Sequence, residues 1–549
     1  MISNRDPESR FPALLHLVLA LAFLPLVGMA LAYSLRTPFR LIDDYSDWMN
    51  VRILDSWAGF WGWLKYSFFS TQGLRYRPFF YLYQGLAWKL FGPRPALLHA
   101  ARWIFKFGAA WYFYRCLRLW LGARRGWLWL AFWPFAFLFF LFPNNPEARL
   151  SPQELFTIFF LALVNWQAAR LLKRTQGDLS RAGLAELAGL LPAFLALCLF
   201  KENNFFASAM LMGFLGFGLR RRGLVRAGLV LLPFGLVQAY TMFRVWCADQ
   251  GVHYAVVHPT FTSVLHDLAQ ALWLMAPFCQ GFAAGAWTTA LVLLALLGLG
   301  LAFAGPAGGA LGLEAGFMPF YWMVWLEFWG LFASQGFAWS VVLRYLAPQV
   351  FLLACLVGLT LVLAAARFAG FPAFRRLALA GAAAGCVWFA GFEAFNYVDQ
   401  FYVQYNSGLV ENRALGSVES LLKAGRGVTI PFRADDEPSV KMVIYFRKFL
   451  PYFFHEDLPL STSMPPRTPF CLDTGQAPPG WSRAAVFKRV DDSPWLAACR
   501  RLSGLFQGKP ARRVCFWTDL SAYPAAEFPA WYLWERPAAD PPSGRADAG

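Results

Sequence analysis

Apolar residues along most of this chain do not alternate with polar ones. They come in runs close to the roughly 20 residues that a helix needs to cross a bilayer core about 30 Å thick. In order the runs are Phe11–Leu35, Ala96–Leu119, Trp127–Phe142, Leu155–Leu172, Ala182–Phe200, Phe205–Leu219, Ala227–Trp246, Ala286–Ala304, Phe317–Ala333, Tyr345–Ala365 and Leu377–Phe395. The pattern predicts an α-helical polytopic membrane protein with about eleven transmembrane helices. Val264–Phe282 is a further apolar segment. It is read as an interfacial helix rather than a span, because one more crossing would reverse everything downstream. The first run follows Arg5 and Arg10, and Ala30-Leu31-Ala32 has the small-residue character of a signal-peptide cleavage site. Anchor and cleaved leader both remain open, and either puts the next segment outside the cytoplasm.

Between the runs, two segments are long: about 36–95 and 247–285. The first holds Trp57–Trp63 and Phe79–Phe91, aromatic stretches too short or too polar to span, which predicts helices lying in the interface. Residues 1–396 thus form the transmembrane part. From residue 397 the pattern changes. Gly408–Leu422 and Val440–Leu450 have helical periodicity, while Val428–Pro431, Ala485–Val490, Val514–Trp517 and Trp531–Trp534 read as short strands. A small α/β domain over 397–536 is expected, with a disordered Pro/Ala/Gly/Asp-rich end at 537–549.

Composition strengthens the membrane reading: 58% of residues are hydrophobic and 15% charged, against about 25% charged in soluble domains. The net charge of +17 invites nucleic acid as a partner, but its distribution argues against that. From Tyr397 onward there are 18 Lys and Arg against 16 Asp and Glu, and before it 31 against 16. The excess lies between apolar runs. Arg124-Arg125, Lys173-Arg174, Arg220-Arg221-Arg222 with Arg226, and Arg375-Arg376 fall in alternate loops, and the intervening short loops carry only Arg149, Lys201 and Arg344. The positive-inside rule then makes the N-terminus cytoplasmic and places the C-terminal domain on the periplasmic or extracellular side of the inner (plasma) membrane. If the tail is exported, Cys471, Cys499 and Cys515 allow one disulfide and one thiol.

The candidate chemistry gathers on that extracytoplasmic face. Asp43-Asp44-Tyr45 sets two carboxylates just beyond the first run, suited to a general base or a metal ligand, or more simply to helix capping. Arg75-Tyr76-Arg77-Pro78 opens an aromatic segment, where arginines grip a lipid phosphate or merely snorkel. Asn144-Asn145-Pro146-Glu147 and Lys201-Glu202-Asn203-Asn204 occupy tight external turns, the latter open to a self-neutralising Lys201–Glu202 pair. Arg344-Tyr345 begins the tenth run. His253, His258 and His266 lack metal-motif spacing, and no nucleotide-binding, zinc-protease or serine-hydrolase motif is present.

In this order and sidedness the residues resemble the GT-C-type glycosyltransferases, polytopic enzymes that use polyprenyl-phosphate sugars, such as the dolichyl-phosphate-mannose mannosyltransferases. The likeness covers about residues 11–397. It rests on Asp43-Asp44, the Arg77-Pro78 step, Leu90-Phe91-Gly92 followed by Pro95 and His99, Lys201-Glu202, and Arg344-Tyr345-Leu346. The resemblance implies a hexosyl- or pentosyltransferase that transfers sugar to an acceptor hydroxyl on a glycan, lipid or protein by inverting displacement. Asp43, with Asp44, would be the catalytic pair and Arg77, Lys201 and Arg344 the donor-phosphate ligands. Arg75, Glu147, Glu202 and Tyr345 would contact substrate. Asn144-Asn145 stands where a His-containing approach to the acidic residue is more usual. No cofactor is certain, a divalent metal being used by some members only, and the partners implied are the lipid-linked sugar and membrane lipids. A lipid-linked glycan ligase is a near alternative. A transporter or flippase is a more distant one, since it should place polar groups at mid-span, whereas those singled out here sit at one face.

Overall fold

The computed structural model describes residues 56–69, 77–92, 94–121, 153–201, 204–222, 224–249, 260–275, 282–304, 315–335, 346–367, 409–431, 460–462, 468–473, 478–487 and 531–536, and the isolated positions 17, 24, 28, 31, 32, 35 and 36, which are helical. The expected third and eleventh spans, the helix at Val440–Leu450, the strand at Val514–Trp517 and the 537–549 end lie outside the described residues. So do Cys499 and Cys515.

Among the described residues, the apolar runs and segments between them form the helices α1 (Trp57–Phe69), α2 (Pro78–Phe91), α3 (Pro95–Leu121), α4 (Gln153–Arg174), α5 (Leu184–Ala188), α6 (Leu191–Phe200), α7 (Asn204–Leu219), α8 (Leu224–Asp249), α9 (Phe261–Leu274), α10 (Phe282–Ala304), α11 (Phe317–Gln335) and α12 (Ala347–Arg367). The sequence reads Ala182–Phe200 as one run, but it is broken. Pro192, which has no N–H to donate, starts α6 afresh after the turn at Gly189-Leu190. Of the ambiguous Val264–Phe282 segment, 264–274 lie in the 14-residue α9 and Phe282 opens α10, while 276–281 lie outside the described residues.

Among the described residues, two helices are long and apolar enough to cross a membrane by length and composition, Gln153–Arg174 and Ala227–Arg244. Shorter apolar helical stretches are Leu184–Phe200, Asn204–Leu219, Ala286–Ala302 and Ala347–Thr360. α3 is long enough, but Arg102, Lys106, Arg115 and Arg118 interrupt its apolar character.

Side-chain contacts fix the direction of each helix. Lys173 Nζ donates to the Leu119 carbonyl at 2.6 Å, so α3 and α4 end together and run parallel. α6 runs back, since Lys201 at its end meets Glu154 at the start of α4. α7 runs down again to Gly218, which packs on Leu179. α11 begins where Gly316 lies against the Leu172 backbone, and its Gly330 reaches the Phe206 backbone near the start of α7. Gly177 has φ +82°, and a Cβ there would also stand 2.8 Å from the Ala315 carbonyl oxygen, so only glycine fits that junction. α10 and α12 both descend past Tyr321, whose hydroxyl donates to the Leu296 carbonyl (2.9 Å) and lies 3.1 Å from Thr360 Oγ1. The helical body has two chemically distinct ends. One holds Arg77, Glu154 and Lys201, and the other Lys173, Arg174, Arg181, Arg220 and Arg221.

Polarity is inverted relative to a water-soluble bundle. On α3, Ile104 is 70% exposed and Trp111 53%, whereas Arg102 and Lys106 on the opposite face are 1% and 0% exposed. Val225, Leu229, Leu232 and Leu236 of α8 and Trp287, Leu291, Leu294 and Leu301 of α10 are likewise exposed, while Gln238, Arg244 and Thr289 are buried.

Beyond the helical body, helical residues 409–423 bury Val410, Ala414, Val418 and Leu422 along one face. A five-stranded sheet has the order β2-β1-β3-β5-β4. Its strands are β1 (Val428–Thr429), β2 (Leu460–Ser461), β3 (Phe470–Asp473), β4 (Ser482–Phe487) and β5 (Trp531–Glu535). β1 pairs in parallel with β2 and β3, and β3–β5–β4 are antiparallel. Three of the expected strands are here within a few residues. β2 and β3 were not expected: at two and four residues, they are too short to show alternation.

Candidate functional site

The site grows from the sequence Arg77-Pro78. Proline at the first turn starts α2 without an orphan N–H, and the preceding residue is held out of helical geometry (φ −141°, ψ 55°). Arg77 is thereby placed at the helix entrance, where it is buried. α2 then lays its aromatic face on α4 and α6. Phe80, Phe156, Ala196 and Phe200 form a buried nest, with Phe79, Tyr81, Tyr83, Phe105 and Phe160 packed around it. Phe79 meets Phe200 edge-on at 6.2 Å, and Phe156 stacks on Phe200 at 5.1 Å. Arg77 lies two residues before one ring of this contact and Lys201 directly follows the other, so the packing of α2 on α6 sets both expected phosphate ligands at the same end of the body.

Lys201 has a charge partner that local spacing does not suggest. Its Nζ donates to Glu154 Oε1 at 2.5 Å, both side chains being buried. Glu154 escaped the sequence reading because it sits at the first turn of α4, where an acidic residue is ordinary helix-dipole chemistry. Next to it, Asn204 Nδ2 donates to Thr157 Oγ1 (3.0 Å) and to the Leu197 carbonyl (2.8 Å), tying the starts of α4 and α7 to α6.

A second basic group was only partly foreseen. His99, Arg102 and Lys106 occupy one face of α3 and are all almost fully buried. Residues seven apart are about 10 Å apart along a helix, so these groups form a ladder descending from the Lys201 end. Arg102 Nη1 donates to His99 Nδ1 at 3.3 Å. Arginine has no acceptor, so that nitrogen carries the lone pair and the ring proton sits on Nε2. Lys106 Nζ lies 4.8 Å over the Trp103 ring. The His99 position was noticed only as part of a family pattern, and Arg102 and Lys106 were absorbed into an apolar run.

Tyr83 joins the ladder to the nest: its ring is 4.3 Å from Phe156 and 5.6 Å from Phe105. Burial pushes its hydroxyl up to about 12, with Arg102 pulling weakly the other way. It therefore stays a neutral phenol near pH 7, a hydrogen-bond donor rather than a base. Arg244 closes the same end by donating to the Phe69 carbonyl at 3.0 Å, at the C-terminus of α1, beside Tyr240, which donates to the Phe68 carbonyl at 3.0 Å. A cation at a helix C-terminus is favourably placed.

Asp43, Asp44, Arg75, Glu147, Glu202, Arg344 and Tyr345 lie outside the described residues, as do His253 and His258; His266 is exposed on α9. Among the described residues, no cluster of three or more His, Cys, Asp or Glu side chains is arranged to hold a metal ion. One buried carboxyl stands apart from the site. Glu327, midway along α11 and fully buried, accepts from Asn165 Nδ2 at 2.8 Å. It corrects the expectation that the polar groups sit only at one face. The sequence hid it inside the aromatic run Phe317–Ala333.

No family profile, no curated protein and no solved structure matches this sequence.

Proposed function

We propose that the chain is a polytopic membrane glycosyltransferase of GT-C type, taking its sugar from a polyprenyl-phosphate donor at the extracytoplasmic face. The observation that carries the reading is the burial of the basic side chains Arg77, Arg102, Lys106 and Lys201 on or beside α2, α3 and α6, the helices that contribute rings to the aromatic nest. Guanidinium and ammonium groups bind phosphate oxygens by charge-assisted hydrogen bonds, and aromatic walls suit the first isoprene units of a lipid donor. The exposed apolar sides of α3, α8 and α10 favour a bilayer around the body, since buried charges beneath apolar surfaces invert the order that water imposes. The helix directions favour the same topology. They carry Lys201 to one end and Arg174 and Arg220-Arg221 to the other, as the loop charges require.

In this reading Asp43, assisted by Asp44, takes the proton from an acceptor hydroxyl. The oxygen attacks the anomeric carbon with inversion, and the bond from that carbon to the phosphate oxygen breaks. Arg77, Lys201 and Arg344 stabilise the leaving phosphate, with the Arg102 ladder extending the cationic wall beneath it. Arg75, Glu147, Glu202 and Tyr345 complete the substrate contacts. The decisive experiment is Asp43→Asn in membrane vesicles supplied with polyprenyl-phosphate sugars. Transfer should fall about 10²- to 10⁴-fold, the usual contribution of a general base, with membrane insertion unchanged. Full activity removes Asp43 as the base, and labelling of tail cysteines exclusively from the cytoplasmic side removes the topology.

A second reading, a flippase of lipid-linked sugars, is favoured by the Glu327–Asn165 pair in the middle of the body. Vesicles that move the donor across without consuming an acceptor would select it.

A further inference from the structure

At the end of the body opposite the proposed active site, α3 and α4 present a feature that sugar transfer does not use. Arg115 lies 5.7 Å from the ring centre of Trp111 and 5.8 Å from that of Trp166, and Arg170 lies 4.8 Å from the same Trp166 ring. Tyr112 stands 5.3 Å from Trp166 and 5.7 Å from Phe159, which lines the groove between the two helices. From this geometry we infer that the groove is a binding site for one anionic phospholipid of the leaflet at that end, an inference that rests on the membrane reading.

Three observations commit the groove to that occupant. The first is charge. Among the described residues none of Arg115, Arg118 and Arg170 forms an ion pair, whereas Arg174, Arg181 and Arg221 each have a carboxylate. Cations held on aromatic faces but left without acidic partners complement a phosphate, and guanidinium groups bind phosphate oxygens bidentately. The second is register. Ile104, Phe107 and Trp111 form an exposed apolar stripe that runs into Arg115 and Arg118 on the same face of α3. On α4, Phe159, Leu163 and Trp166 are half-buried and lead along one face to the exposed Arg170. Since α3 and α4 are parallel, both sequences read acyl-chain surface first and headgroup surface last, in the same direction. The third is position. Arg115 lies six residues before the end of α3, about 9 Å along the helix, and Trp, Tyr and Arg at that depth belong to the belt where headgroups meet hydrocarbon.

The test is a titration of the purified full chain in detergent with phosphatidylglycerol or phosphatidylcholine, followed by native mass spectrometry. The wild type should retain phosphatidylglycerol preferentially. Each arginine near a lipid surface contributes about five-fold in affinity, so Arg115→Gln/Arg170→Gln should weaken phosphatidylglycerol binding about thirty-fold and leave phosphatidylcholine binding unchanged. Arg115→Lys/Arg170→Lys should keep most of it. Arg170→Gln alone, an exposed change of little structural consequence, should show the five-fold loss even if the double variant does not fold. Equal retention of the two lipids by the wild type, or unchanged phosphatidylglycerol binding in Arg170→Gln and the double variant, overturns the site and shows the arginines to be helix packing only. Recovery of the chain in the supernatant of alkaline-washed membranes without detergent would instead overturn the membrane reading itself.

Discussion

Lys201 Nζ and Glu154 Oε1 meet at 2.5 Å between the end of α6 and the first turn of α4, and water reaches almost none of either side chain. Neutralising one partner leaves a buried charge without its match, which typically costs about 3–5 kcal/mol. Glu154→Gln and Lys201→Met should each lower the melting temperature in detergent. Glu154→Leu combined with Lys201→Met should recover much of the loss, because an apolar pair of similar size replaces an ion pair at little cost. Sugar transfer should not recover with it, since the proposed phosphate ligand is gone. A double variant that is both stable and fully active would remove Lys201 from the site.

Arg102 offers a separate handle on the same proposal. It acts on the donor phosphate in the proposed site, so Arg102→Gln should raise the KM for the lipid-linked donor about ten-fold or more, the size of a lost charge-assisted hydrogen bond. The KM for the acceptor should be unchanged. Arg102→Lys keeps the charge and should recover part of the effect. An equal change in both KM values, or a change in melting temperature alone, would mark Arg102 as structural.

These two sites show what the sequence made legible. The described long apolar runs match helices of the body to within a few residues, apart from Ala182–Phe200, which breaks ahead of Pro192. Arg77 and Lys201 were visible because each interrupts an apolar context beside a helix end. Glu154, Arg102 and Lys106 were not, for a common reason. A charged residue on the inward face of an apolar helix looks, in one dimension, like a tolerated interruption, and only packing reveals that it is buried. Glu154, an ion-pair partner of Lys201, lies 47 residues away, beyond the reach of local spacing. In the sheet, β1, β4 and β5 were recognised from their apolar runs, while β2 and β3, at two and four residues, depend on their neighbours.

The loop at the opposite end should carry an acid-sensitive element. Asp178 caps the short helix at Leu179–Arg181, accepting from Ser180 Oγ at 2.6 Å and from the Ser180 N–H at 3.1 Å, with Arg181 at 3.6 Å and Arg221 at 3.7 Å. The Ser180 hydroxyl first, then its N–H and the two arginines, hold the carboxyl below the usual Asp range. A depressed folded-state value means that the contribution is fully present above the unfolded value of about 3.9. It is lost as pH falls through the folded value. Melting curves of the wild type should therefore be steady from neutral pH to about pH 4 on this account and fall below it. Asp178→Asn should be less stable at neutral pH and show a shallower fall in acid. Parallel curves for the two proteins would show that the cap contributes nothing to the pH response.

The Glu327–Asn165 pair allows transfer and transport to be told apart. Glu327 Oε2 accepts from Asn165 Nδ2 at 2.8 Å, and the same amide nitrogen donates to the Leu161 carbonyl at 2.9 Å, so one side chain joins α11 to α4 in the middle of the body. Asn165→Val removes the donor and leaves a buried carboxyl oxygen short of its partner, at a cost of about 1–3 kcal/mol. Glu327→Gln keeps size and hydrogen-bonding capacity but removes the ionisable proton. A structural pair predicts that Asn165→Val is the more harmful change for melting temperature and that Glu327→Gln retains sugar transfer at every pH. Under the transferase reading this is the expected result, since the chemistry sits at the Lys201 end. If Glu327→Gln instead abolishes a pH-driven movement of donor lipid while the protein melts like the wild type, the carboxyl is exchanging protons in the cycle. The flippase reading then displaces the transferase.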